Sequence, residues 1–92
     1  MIVRILGEGQ YDVADSALDT LNELDGALES AVEAGDEDAF RTALKRLLDG
    51  VRSVGVPHPL DAIDASDIIL PDADAPMAEV ADMLAADGLI PG

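Results

Sequence analysis

The chain is predicted to be an α+β domain: an N-terminal β-hairpin, an antiparallel helical hairpin, and a third helix with short C-terminal extended segments that make a small sheet. Three observations predict this. MIVRILGEGQYDV alternates with the two-residue period of a strand around a glycine pair. From about Asp15 to Gly55 the apolar residues follow a helical period, interrupted once at Gly35-Asp36. Beyond Pro57, prolines and short apolar runs alternate up to the terminal DGLIPG.

In the opening hairpin, Ile2, Arg4 and Leu6 share one strand face and Val3 and Ile5 the other. Gly7 and Gly9 supply a permissive turn, and Tyr11 and Val13 alternate along the return strand. A lone hairpin is marginally stable, so a helix or another strand has to pack on it.

The first helix is expected over Asp15 to Ala34. Ala17, Leu18, Leu21, Leu24, Leu28, Ala31 and Val32 form its apolar stripe, with Asp15 or Ser16 as N-cap and Asp19 near the positive end of the helix dipole. Gly26 costs about 1 kcal/mol relative to alanine inside a helix, which points to close approach of another backbone there. Gly35 suits a left-handed helix end, and Asp36 caps a second helix whose first turn carries Glu37 and Asp38. That helix buries Phe40, Leu44, Leu47 and Val51, with Leu48 and Ala43 on its flanks, and it ends near Gly55 because Pro57 and Pro59 forbid continuation. The short link makes the pair an antiparallel hairpin.

VPHPLDAIDAS reads as an irregular connection, and SDIILP as a short apolar strand closed by Pro71. Pro76 suits a first helical turn, and Met77, Val80 and Met83 or Leu84 give a third helix its inward face. Asp87-Gly88 ends it. Leu89 and Ile90 are then expected to return as a short strand or lid, with partner contact as the other reading, and Pro91 blocks further ladder donation.

Composition bounds the function. Residues 1–92 make a single small domain, and a chain of this length buries only about 60–65% of its unfolded surface. Without cysteine, no disulfide or thiolate metal site supplements the core, and Tyr11 and Phe40 are its only aromatics. So thin a core leaves room for help from a partner or from self-association as a homo-oligomer. Asp and Glu total 20 against five Lys and Arg, a net charge of −15, with fourteen Asp and one lysine. Such a charge repels itself at low salt and is largely screened at 1 M, where the Debye length is about 3 Å. Asp-rich, Lys-poor composition therefore reads as adaptation to a salty cytosol. Nucleic-acid binding requires clustered cations, which are too few here, and an anionic membrane surface would repel the chain. No apolar run approaches the ~20 residues of a membrane span, and the N-terminus lacks the pattern of a signal peptide. The expected location is the cytoplasm.

No catalytic, cofactor or metal site stands out. Paired carboxylates carry no information in so acidic a chain. His58 is the one histidine, and DASD and DADA match fragments of calcium loops without the full ligand pattern. No serine or threonine has a recognisable base nearby, and GEG is too short for a phosphate loop. Four of the five basic residues nonetheless fall on the second helix, and Arg41, Lys45 and Arg52 project within about 40° of one another. Ion pairing with Asp25 and Glu29 of the first helix is the structural reading of this stripe. Docking of an acidic partner segment is the functional one. Arg41, Lys45, Arg52, Leu89 and Ile90 are therefore the candidate partner-binding residues.

In order along the chain, MIVRILGEGQYDV, LDTLNELDGALESAVEAGDEDAF, SDIILP and EVADMLAADGLIPG resemble the PspA-associated domain, PspAA. LNELD, the Gly35-Asp36-x3-Phe40 turn and the terminal GLIPG are its most distinctive pieces. The resemblance implies a non-enzymatic adaptor or regulator of PspA, a coiled-coil, ESCRT-III-like protein that assembles on stressed membranes. The family occurs in archaea and actinobacteria, and a haloarchaeal member would be rich in Asp. Contact with the inner face of the membrane would then be indirect, through the partner. Two readings compete: a winged-helix-like nucleic-acid-binding or transcriptional module, and a small enzyme subunit or ligand-binding module.

Overall fold

The computed structural model describes residues 1–58 and 67–84. Strands β1 (Ile2–Ile5) and β2 (Gly9–Asp12) form the expected hairpin, with Val3 opposite Tyr11 and Ile5 opposite Gly9. Gly7 and Gly9 take positive φ, at 81° and 136°, conformations in which a side chain would be strained. Helices α1 (Leu18–Ala34) and α2 (Glu37–Val54) follow, then β3 (Val56–Pro57), β4 (Ile68–Leu70) and α3 (Met77–Leu84). The four strands lie in the order β3-β2-β1-β4.

The sheet is mixed. β4 runs parallel to β1, placing Ile68 beside Val3 and Leu70 beside Ile5. Asp67 starts this pairing by exchanging bonds with one residue. Its backbone N–H donates to the Ile2 carbonyl and its carboxylate accepts the Ile2 N–H, both at 2.9 Å. On the other side, the two-residue β3 pairs antiparallel with β2, in a stretch where the sequence suggested only an irregular connection. Proline is tolerated there because β3 is an edge strand, where a missing donor need not interrupt the ladder.

The two helical segments differ at their starts. Asp15–Ala17 is a turn of 3-10 helix, and α1 begins only at Leu18 behind Ala17 without a side-chain cap bond, so neither Asp15 nor Ser16 caps it. Asp36 does cap α2: its carboxylate accepts the Ala39 N–H at 3.1 Å. Gly35 ends α1 at φ 67°, and the N–H groups of Gly35 and Asp36 close back on Val32 and Ala31.

One face of the sheet carries Val3, Ile5, Ile68 and Leu70 inward, and the helices cover it with Leu21 and Leu28 of α1, the Phe40 to Val51 stripe of α2, and Val80 and Leu84 of α3. Core and strand register agree because a one-residue slip would turn every one of those strand side chains outward. Among the described residues, Asp25 is the one buried polar residue, lying in line with Leu21 and Leu28 rather than on the flank. No buried side-chain nitrogen or oxygen among the described residues lacks a hydrogen-bond partner, so this burial is accommodated.

Gly26 is not the point of close approach that its place in the helix suggested: a Cβ there would meet nothing within 4 Å. Between α1 and α2 a tight spot falls instead at Gly50 of α2, where a Cβ would lie 2.8 Å from Cδ1 at the tip of the Leu24 side chain of α1, not against backbone.

Candidate partner-binding site

The basic stripe of α2 is real, but its ends are occupied. Arg52 grips Glu8 in the β1–β2 turn, with Nη2 2.7 Å from Oε1 and Nε 2.9 Å from Oε2, and its Nη1 lies 2.9 Å from Asp49 Oδ1. Tyr11 Oη donates to the same Glu8 carboxylate at 2.6 Å. With the Arg52 guanidinium foremost and the Tyr11 hydroxyl next, these bonds hold the Glu8 carboxyl down at about 2. The same bond to Glu8 pushes the Tyr11 phenol upward and keeps Arg52 charged. Arg41 donates from Nη1 to the Ala73 carbonyl at 2.9 Å, in the β4–α3 connection, while its guanidinium stands 4.9 Å from the centre of the Phe40 ring.

Both arginines thus bind within the molecule, and neither reaches Asp25 or Glu29 on α1. They fasten α2 to the β-hairpin and to the loop before α3. Lys45, midway between them, is exposed and forms no ion pair among the described residues. Leu89 and Ile90 lie outside the described residues. Sequence reasoning did not single out Glu8 as the partner of Arg52, since nothing local connects positions 44 residues apart.

Residues of α1 and α2 line a furrow of about 400 Å3 on the helical hairpin. It is lined by Leu24 and Ala27 of α1 and by Ala39, Thr42 and Ala43 of α2, with the exposed Asp38 and Arg46 on its rim; of the lining, Ala43 is buried and Leu24 half-buried. The outer face of the sheet exposes Leu6, Ile69 and Val56 at 41%, 49% and 65%, with the polar Arg4 and Gln10 paired on the same face.

His58 lies at the sheet edge with Nδ1 2.8 Å from Asp12 Oδ2, and its backbone N–H donates to the Gln10 carbonyl at 2.9 Å. These contacts anchor β3 to β2. Among the described residues no group of three His, Cys, Asp or Glu side chains is placed to hold a metal ion. No helix among them is long and apolar enough to cross a membrane.

The chain is an α+β domain, a small mixed sheet backed by a helical hairpin, in which Arg52 and Arg41 tie the second helix to the strands and to the loop before the third. The family model for the PspA-associated protein matches residues 1–92, and the chain belongs to that family. No curated protein and no solved structure matches the chain.

Proposed function

We propose that this protein is a non-enzymatic adaptor or regulator that binds a PspA-type, ESCRT-III-like membrane-stress protein in the envelope-stress response. The observation that carries the reading is the family match over residues 1–92, whose description ties the family to PspA. The arrangement of the molecule supports it. Arg41 and Arg52 tie α2 to the loop before α3 and to the β-hairpin, so the exposed side of the helical hairpin is formed before a partner arrives. A pre-formed surface loses less conformational entropy on binding. In this reading the protein works in a salty cytosol and meets the membrane only through its partner, since a net charge of −15 is repelled by anionic lipid.

The test is capture of the PspA-type protein of the same cells by the tagged full chain at high salt, together with proximity labelling in vivo. Recovery of that protein by both routes supports the adaptor role. If neither route finds it, the reading fails. A salt-dependent, sequence-specific duplex-binding isotherm would instead establish the nucleic-acid-binding alternative.

A further inference from the structure

The furrow on the helical hairpin and the distribution of cations on α2 together say more about how a partner is held. Arg41 and Arg52 make bonds within the fold, whereas Arg46 is exposed, lines the furrow, and forms no ion pair among the described residues. In a chain of net charge −15, the furrow therefore carries a local reversal of sign at one point of its rim. Asp38 stands on the same rim, eight residues and about 12 Å earlier along α2. Around these opposite charges the lining is apolar, with exposed Ala27 and Ala39, half-buried Leu24 and buried Ala43.

The geometry points to this furrow as the seat of one amphipathic helix of the partner. That helix lays a large aliphatic side chain against Leu24 and the alanines, places a carboxylate at Arg46, and sets a basic group near Asp38. The inference rests on the adaptor reading and names its contact surface. A third helix laid along a pair is an established form of helix-in-groove recognition, in which apolar anchors recur at helical spacing. The rim charges add direction. A helix lying along α2 matches Asp38 and Arg46 in one orientation, and reversing it sets like charges against each other. The outer sheet face exposes larger apolar side chains at Leu6, Val56 and Ile69, but nothing there selects an occupant.

The experiment uses the full chain and the purified full-length PspA-type protein of the same organism. Binding is measured for wild type, Arg46→Glu and Thr42→Trp, and a photo-crosslinking residue is introduced separately at Thr42, Lys45 and Ile69. All three positions are exposed, as is Arg46, so melting temperatures should stay at the wild-type value. Arg46→Glu is expected to weaken binding roughly tenfold or more at low salt, with the effect shrinking as salt rises. Thr42→Trp, which fills the furrow, is expected to weaken it by a similar factor at either salt. Crosslinks to a partner helix should form from Thr42. Unchanged affinity in both variants, or crosslinks only from Lys45 or Ile69, would overturn the furrow while leaving the adaptor role intact. Failure of the wild type to bind at all would overturn both.

Discussion

The bond between Glu8 and Arg52 joins residues 44 positions apart and ties the β1–β2 turn to the C-terminal part of α2. Replacing Glu8 by Gln removes the charge and nearly preserves the shape. The Glu8 carboxyl is lowered from 4.5 to about 2 by Arg52 first and Tyr11 second. Converted in full, that shift would correspond to roughly 3 kcal/mol. The two side chains remain 36% and 33% exposed, however, and solvent screening cuts the interaction of so open a pair to about 1 kcal/mol. Its sign follows from the direction of the shift. A depressed carboxyl binds its proton more readily in the unfolded chain, so the stabilisation is complete above 4.5 and is lost as pH falls through about 2.

The assay is a double-mutant cycle of wild type, Glu8→Gln, Arg52→Met and both, unfolded in urea, which leaves ionic strength unchanged. The coupling should be about 1 kcal/mol near neutrality and fall by more than half at about pH 3. A cycle is needed because the chain has 20 carboxylates, whose protonation relieves mutual repulsion over the same range. Differences between variants cancel that background. Coupling below about 0.3 kcal/mol at neutral pH, or coupling that persists unchanged in acid, would refute the assigned role of the pair.

Four other outcomes follow from the same physics. Gly26→Ala should raise unfolding free energy by up to about 1 kcal/mol, because the added methyl meets nothing and improves helix propensity. Gly50→Leu should lower it by about 1–3 kcal/mol by forcing Leu24 away, and equal effects in urea titrations would contradict the assigned packing. Asp36→Ala should cost about 1 kcal/mol through loss of the cap on the Ala39 N–H, with an unchanged denaturation midpoint counting against it. Raising potassium chloride from about 0.1 M to about 1 M should raise the melting temperature, since the Debye length shrinks from about 10 to about 3 Å around a strongly self-repelling chain. A flat or falling melting temperature would reject the halophilic reading.

Much of the candidate surface was visible in the sequence, but its meaning was not. The stripe of Arg41, Lys45 and Arg52 follows from helical spacing alone. Which of these cations are engaged depends on Glu8 and Ala73, which the chain path delivers from elsewhere. Arg46 attracts no notice as a residue. It becomes interesting because it stands beside a furrow lined by Ala27 of one helix and by Ala39 and Ala43 of the other. A furrow belongs to two surfaces at once, and no window of one helix can encode it.

The family resemblance, the hairpin, the Gly35-Asp36 break and most of the core were determined by the sequence itself, because period, capping and turn chemistry act within a few residues. Only the tertiary structure decided that β4 joins β1 in parallel, that Val56–Pro57 adds an edge strand, and that Asp25 is buried. It also moved the close helix contact from Gly26 to Gly50. These depend on which distant surfaces meet. Asp67 reaches Ile2 across 65 positions, and Arg52 reaches Glu8 across 44. Local propensity is indifferent to such encounters, and it is the packed core that brings those residues within hydrogen-bond distance.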